Sequence, residues 1–168
     1  MQTEEDNVLI ANKWLEKFGF ACTSGDLQAF TDLFLAAGGF LRDNLVFSWR
    51  HRTLFGKEAI GKYVENSLSN TGITRIKLDL SSGIIPNYAS ETNILEAAFV
   101  FETSIAYGRG IIMLQPYEQT WKALVVYITL SDLKGYEEKG PDPKSRLTEG
   151  FQAKKNLIET NPHVLISM

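Results

Sequence analysis

The hydrophobic pattern of this chain changes period part-way along, and that change narrows the possible folds more than any other feature of the sequence. Up to about residue 69 most apolar side chains recur at helical spacing; beyond it they alternate, as strands do. Residues 7–22 set Ala11, Trp14, Leu15, Phe18 and Cys22 along a first helix. Ser24-Gly25-Asp26 punctuates, and Ser24 or Asp26 can cap a second helix over Leu27–Ala36, with Leu27, Phe30, Leu33 and Phe34 on one side and Gly38-Gly39 at its end. Gly56 opens a third helix to about Ser69, with Ile60, Val64 and Leu68 in register. Between the last two, residues 45–53 alternate as a strand that turns Leu45, Phe47, Trp49, His51 and Thr53 one way and Ser48, Arg50 and Arg52 the other.

Four further strands are predicted over residues 74–85, 93–107, 109–115 and 120–131. Tyr107-Gly108-Arg109-Gly110 reads as the hairpin turn between the second and third of these. In 93–107, Leu95, Ala97, Phe99, Phe101 and Thr103 share a face opposite Glu96 and Glu102. In 120–131, Trp121, Ala123, Val125, Tyr127 and Thr129 share one face, and Leu124, Val126, Ile128 and Leu130 the other, so this strand should be central. Helices followed by a run of strands form the α+β pattern, here a curved antiparallel sheet over three N-terminal helices. Such a sheet makes a cone with one open mouth, a natural pocket.

Composition removes several function classes. The 168 residues suffice for one domain with a core, and the net charge of −3 without a Lys/Arg cluster argues against nucleic acid. No apolar run approaches the roughly 18 residues that span a bilayer, so no membrane partner is expected. The acidic N-terminus lacks a signal core, and the cytoplasm is the expected location. A single cysteine, Cys22, and two histidines, His51 and His163, leave no disulfide and no Cys- or His-rich metal cluster.

Three segments, in order, carry a family resemblance: Arg42-Asp43-Asn44-Leu45-Val46-Phe47-Ser48-Trp49 with Arg52-Thr53-Leu54-Phe55-Gly56; Phe101-Glu102-Thr103 with Gly108-Arg109-Gly110; and Trp121-Lys122-Ala123, Thr129-Leu130 and Leu133-Lys134-Gly135-Tyr136-Glu137-Glu138. Together they resemble the nuclear transport factor 2-like (SnoaL-like) domain that precedes the FAD-binding domain of fungal flavin-containing monooxygenases. Leu41 stands where that family usually has Trp. The resemblance implies a cone-shaped domain over residues 1–133. It implies that 134–168 is a polar linker, a short helix over about 148–160 and the incipient strand His163-Val164-Leu165-Ile166 of an FAD-binding domain. In the family that strand leads into a Gly-rich turn that holds the FAD pyrophosphate. Here Ser167-Met168 follows instead and no GxGxxG occurs, so no FAD or NADPH site is expected in this chain; both are implied for a full-length family member alone. A shortened gene product or a shifted splice site would give such an ending.

The candidate catalytic residues are His51, a general base if its strand face lines the cone, and Asp43, a carboxylate base if burial raises its pKa. Each also has a structural reading, as a half-solvated strand-end histidine and as a turn or ion-pair aspartate. The aromatic residues Trp49, Tyr63, Phe99, Phe101, Trp121 and Tyr127 are the candidate pocket wall, whether they grip a flat apolar ligand or pack as core. Arg109, Glu102 and Lys122 are expected to pair across neighbouring strands, and Cys22 to be a buried inert thiol. Two functions follow. One is an accessory domain that partners a flavoprotein domain, a second copy of itself or a small apolar ligand; the implied family reaction is flavin-dependent oxygenation with NADPH and O₂. The other is a stand-alone cyclase, isomerase or dehydratase working by acid–base catalysis in the cone.

Overall fold

Thr3 starts the first helix by a reciprocal cap: its Oγ1 accepts from the Asp6 N–H at 3.1 Å while the Asp6 carboxylate accepts from the Thr3 N–H at 3.0 Å. Glu4, Glu5 and Asp6 set negative charge at the positive end of the helix dipole. The helix, α1 (Glu4–Ser24), ends at Gly25, whose φ of 70° is the left-handed turn that glycine adopts without a Cβ clash. It buries Ala11, Trp14, Leu15, Phe18, Ala21 and Cys22, one face at helical spacing, as the sequence predicts. The computed structural model describes residues 3–137. The expected linker beyond Glu137, the helix over 148–160, His163 and the strand at 163–166 lie outside the described residues. The chain divides after Tyr136, so a first compact unit, Met1–Tyr136, carries all that follows.

Asp26 caps α2 (Leu27–Asp32) by accepting from the Ala29 N–H at 2.9 Å. This helix stops four residues short of the predicted Ala36. Its continuation is drawn off as a partner for a strand: Phe34 bridges Ala123 in parallel, Ala123 N–H donates to the Leu33 carbonyl at 2.7 Å, and Leu35 N–H donates back to the Ala123 carbonyl at 3.0 Å. The remaining elements are β1 (Phe40–Asn44), β2 (His51–Phe55), α3 (Lys57–Val64), a 3-10 turn at Leu68–Asn70, β3 (Thr74–Leu78), β4 (Asn87–Ala89), β5 (Ile94–Glu102), β6 (Ala106–Tyr117) and β7 (Thr120–Leu133). The sheet runs β2-β1-β7-β6-β5-β3, with β4 also on β5; β1 and β7 pair in parallel and the other strand pairs are antiparallel. This is the expected α+β architecture, with β7 central.

Four expectations about the strands are corrected. Of the strand predicted over 45–53 only His51–Thr53 is strand, the start of β2, and residues 45–50 are a hairpin loop: β1 ends at Asn44, Leu45 takes φ 70°, and pairing resumes at His51 opposite Asn44. The strand predicted over 74–85 is cut to Thr74–Leu78, with Arg75 at φ 50° where the register on β5 slips. The shared face proposed for Ala123 and Val125 is broken by a bulge, because Leu114 opposes Ala123 and Met113 opposes Val125, leaving Leu124 over. After the bulge Val126 and Ile128 point inward. The turn between β5 and β6 falls at Thr103–Ile105, where Thr103 N–H donates to the Ala106 carbonyl at 2.8 Å and its Oγ1 accepts from the Ala106 N–H at 2.9 Å.

Gly108 and Gly110 therefore lie inside β6, directly opposite Phe101 and Phe99. A Cβ at Gly108 would stand 2.1 Å from Phe101 Cζ, and one at Gly110 would stand 2.4 Å from Phe99 Cζ. The two rings lie across the glycines and occupy the space their side chains would take. From there an aromatic chain fills the concave face: Phe99 meets Phe18 at 6.1 Å between centroids, Phe18 meets Phe30 at 5.5 Å, and Phe30 meets Phe34 and Phe47 at 5.6 and 5.7 Å. Gly108→Ala should cost about 1–3 kcal/mol by overpacking. Urea denaturation of Gly108→Ala, Phe101→Leu and the double variant tests the cause. The double variant should be more stable than the summed single losses predict, and strict additivity would show that the methyl meets something other than the ring.

Candidate functional site

Strand alternation decides which residues of β1 face the core. Leu41 and Asp43 point inward and are fully buried, whereas Phe40, Arg42 and Asn44 point outward. A buried carboxylate needs donors. Asp43 finds them in its own loop: Oδ1 accepts from Val46 N–H at 3.0 Å and Phe47 N–H at 3.2 Å, and Oδ2 from Phe47 N–H at 3.2 Å and Ser48 N–H at 3.3 Å. Tyr63, from α3, donates its hydroxyl to Oδ2 at 2.6 Å. Ser48 Oγ lies 2.6 Å from the same Tyr63 oxygen. Tyr63 has one proton and gives it to Asp43, so Ser48 is the donor in the second bond. The order of donation is Ser48 to Tyr63 to Asp43.

Burial pushes the Asp43 carboxyl above its ordinary value; the bonds from Tyr63 and the three amides oppose that shift without cancelling it. Burial, and then the bond to Asp43, push the Tyr63 phenol up to about 12, so it remains a donor. His51 sits on the other side of the sheet. It is exposed, opposite the outward-facing Asn44, and its Nδ1 meets Asn44 Oδ1. The expectation that His51 shares a face with Phe47 and Trp49 inside the cone is thus corrected. With residues 45–50 in a loop the alternation does not run through them, and His51 and Asp43 occupy opposite faces.

The six aromatic residues do not line one chamber. Phe99 and Phe101 are core, and Tyr63 is half-buried on Asp43. Trp49 is 72% exposed. Trp121 packs edge-on to Tyr88 at 5.8 Å and lines an outer groove of about 430 Å³ with Phe20 and Leu33. Tyr127 lines another of about 400 Å³ with Arg109 and Ile111. A third groove, of about 280 Å³, opens beside the Asp43 loop between Ser48, Trp49, Thr71, Ile105 and Leu130. The expected charge pairing is also different: Glu102 bonds Lys134 Nζ at 2.9 Å and Arg75 Nη1 at 3.2 Å, and Lys122 lies 4.7 Å over the Tyr117 ring. Cys22 is buried, and burial pushes its thiol upward. Among the described residues no group of three His, Cys, Asp or Glu could hold a metal, and no helix is long and apolar enough to cross a membrane. Ser48 was not singled out from sequence. Its only signal is that it lies five residues beyond Asp43, within reach of a loop wrapped on that carboxylate.

No protein-family model and no curated protein matches the sequence. Solved structures do. A candidate dehydratase of the nuclear transport factor 2-like family from Streptomyces avermitilis superposes with a TM-score of 0.57 at 11% identity, covering 77% of this chain and 99% of its own. A candidate aromatic ring hydroxylase from Novosphingobium aromaticivorans gives 0.56 at 14% identity, covering 79% and 94%. A cystatin-like fold protein from Burkholderia xenovorans LB400 gives 0.54 at 15% identity, covering 76% and 93%. At these identities the likeness is one of fold, and the chain has the nuclear transport factor 2-like, or cystatin-like, fold.

The Asp43 network sets a pH dependence. Because its folded-state pKa is raised, Asp43 holds its proton more tightly in the folded chain than in the unfolded one. The associated stability is complete below the unfolded value, about 3.9, and is lost as pH rises through the folded value. Tyr63→Phe removes a donor that steadies the charge, so the carboxyl should move further up and the loss of stability with pH should steepen. Asp43→Asn should remove the dependence while leaving loop amides unpaired, at about 1–3 kcal/mol. Carboxyl carbon-NMR titration and denaturation across acidic pH measure both; an Asp43 pKa that falls in Tyr63→Phe contradicts the network.

Proposed function

We propose that this chain is an accessory domain without catalytic chemistry of its own, of the kind that stands before the flavin domain in fungal flavin-containing monooxygenases. The observation that carries the reading is the state of Asp43. Its two oxygens are engaged by Val46, Phe47, Ser48 and Tyr63, and its side chain is fully buried against a cone interior filled by phenylalanines. A base with no route to a substrate organises a loop. The sequence resemblance and the shared fold support the same reading. FAD and NADPH belong to a flavoprotein partner in this scheme. The outer grooves and exposed apolar side chains such as Trp49, Phe20 and Phe55 are where that partner, a second copy or a small ligand would meet the domain. The cytoplasmic location expected from sequence belongs to this proposal.

A second reading has one specific observation behind it. Ser48 reaches the groove beside Trp49 and is hydrogen-bonded through Tyr63 to a carboxyl of raised pKa, a proton path from surface to base. Two of the structural neighbours are described as a candidate dehydratase and a candidate ring hydroxylase. A stand-alone acid–base enzyme would use that path.

The experiment that separates them uses the purified chain. Gel filtration after incubation with FAD should return protein without flavin absorbance, and NADPH should not be consumed. Against a panel of small ketones, lactones and hydroxy acids, wild type and Asp43→Asn should be equally inactive. Retained stoichiometric FAD, or turnover that Asp43→Asn abolishes with its circular dichroism intact, overturns the accessory reading.

A further inference from the structure

The groove beside the Asp43 loop differs in its chemistry from the grooves lined by Trp121, by Tyr107, by Tyr88 and by Tyr127: none of its lining side chains carries a charge, whereas each of those has at least one acidic or basic wall. Its apolar wall includes Trp49, Ile105 and Leu130, and Trp49 is the most exposed of the three tryptophans that the sequence contains. An uncharged wall disfavours an ion, because a charge brought there would lose hydration without a counter-charge.

Three of the five hydroxyl groups in the groove are polarised one way. Ser48 gives its proton to Tyr63, as derived above. Thr71 Oγ1 donates to the Leu68 carbonyl at 2.9 Å, and Ser67 Oγ to the Val64 carbonyl at 3.4 Å. A carbonyl oxygen can only accept, so each of these hydroxyls has its single proton turned into the protein and presents lone pairs outward. Thr103 is saturated: it donates to the Ala106 carbonyl and accepts from Ile105 and Ala106 N–H. Ser104 Oγ and the Asn70 amide, which donates one N–H to the Asn66 carbonyl at 3.1 Å, are the groove's own donors. At Ser48, Ser67 and Thr71 the ligand must therefore supply the donors, and the uncharged wall requires that it do so without a charge, while Ser104 and Asn70 can answer the acceptors of such a ligand.

We infer that this groove binds a neutral, hydroxyl-bearing ring of single-ring size, a pyranose sugar or its glycoside, with one apolar ring face on Trp49 and its hydroxyls donating to Ser48 and Thr71. A volume of about 280 Å³ admits one ring. The donation chain behind Ser48 makes its oxygen a stronger acceptor than an isolated hydroxyl, because hydrogen bonds in series polarise one another. The inference rests on the reading of this chain as an accessory domain whose outer grooves receive a small ligand, and names the ligand class.

Tryptophan fluorescence reads it directly, since Trp14 is 2% exposed and Trp49 is 72% exposed. Glucose, methyl glucoside, tetramethylammonium and benzoate are titrated into the purified chain. A pyranose should give a saturable change in emission, absent in Trp49→Phe and about five- to tenfold weaker in Ser48→Ala, one hydrogen bond's worth. Thr71→Val, which leaves the Tyr63–Asp43 pair intact, should weaken it similarly, with thermal melts confirming that both variants are folded. Saturation by tetramethylammonium or benzoate in preference to the sugars overturns the ligand class while leaving the accessory reading standing. No change with any probe up to roughly 100 mM, a binding energy near 1.4 kcal/mol, overturns the inference, whereas the accessory reading falls only to FAD retention or to turnover that Asp43→Asn abolishes.

Discussion

A carboxylate that must be satisfied inside the core governs much of what is distinctive in this domain. Asp43 points inward because β1 alternates, and once inside it needs donors. The nearest are the next residues' own amides, and turning Val46, Phe47 and Ser48 N–H toward one carboxyl bends the chain out of strand geometry. Leu45 goes to positive φ, pairing is suspended until His51, and the returning strand sets His51 on the outer face. Tyr63 then ties α3 to the same carboxyl, and Ser48 follows as donor to Tyr63. One buried charge thereby places a helix, breaks a strand, expels the histidine and fixes which way a surface hydroxyl points.

The second constraint is volume. A curved sheet over helices leaves a conical space, and here phenylalanine rings take it up, from Phe99 and Phe101 on the glycines of β6 through Phe18 and Phe30 to Phe34 and Phe47. Each close-packed ring pair of this kind adds about 0.5–1.5 kcal/mol beyond area burial, and the rings fill the concave face of the sheet. In the proposed reading recognition moves to the rim, where the grooves of about 280–430 Å³ lie beside Trp49, Tyr127 and Trp121. The polar order inherited from Asp43 surfaces at the first of these, so the packing and the buried charge converge on one groove.

Much of the fold was legible because its signals are local. The helical stripe of α1, the Asp26 cap of α2 and the inward face Leu95, Ala97, Phe99 and Phe101 of β5 each follow from spacing alone. The misread places share a cause. Gly108 and Gly110 look like a turn to any local reading, and only the rings of Phe101 and Phe99 on the next strand require them inside β6. Leu33 to Leu35 look helical until Ala123, about ninety residues on (89 between Phe34 and Ala123), takes the Leu33 carbonyl and the Leu35 N–H. The single extra residue at Leu124 reverses which side chains of β7 face inward, and alternation cannot reveal where a partner strand skips a step.

The candidate site divides the same way. The sequence by itself carries a potential base at Asp43 and an aromatic hydroxyl at Tyr63, the α+β succession of periods, and too few cysteines and histidines for a cluster. Those are matters of residue type and period. Tertiary structure alone decided that Asp43 and His51 lie on opposite faces, that Ser48 joins Tyr63 and that the aromatic residues divide between core and rim. The physical reason is that burial and hydrogen-bond satisfaction are settled between segments. A carboxylate's need for donors is written in its residue type, but which amides answer it depends on where the chain is when it goes inside.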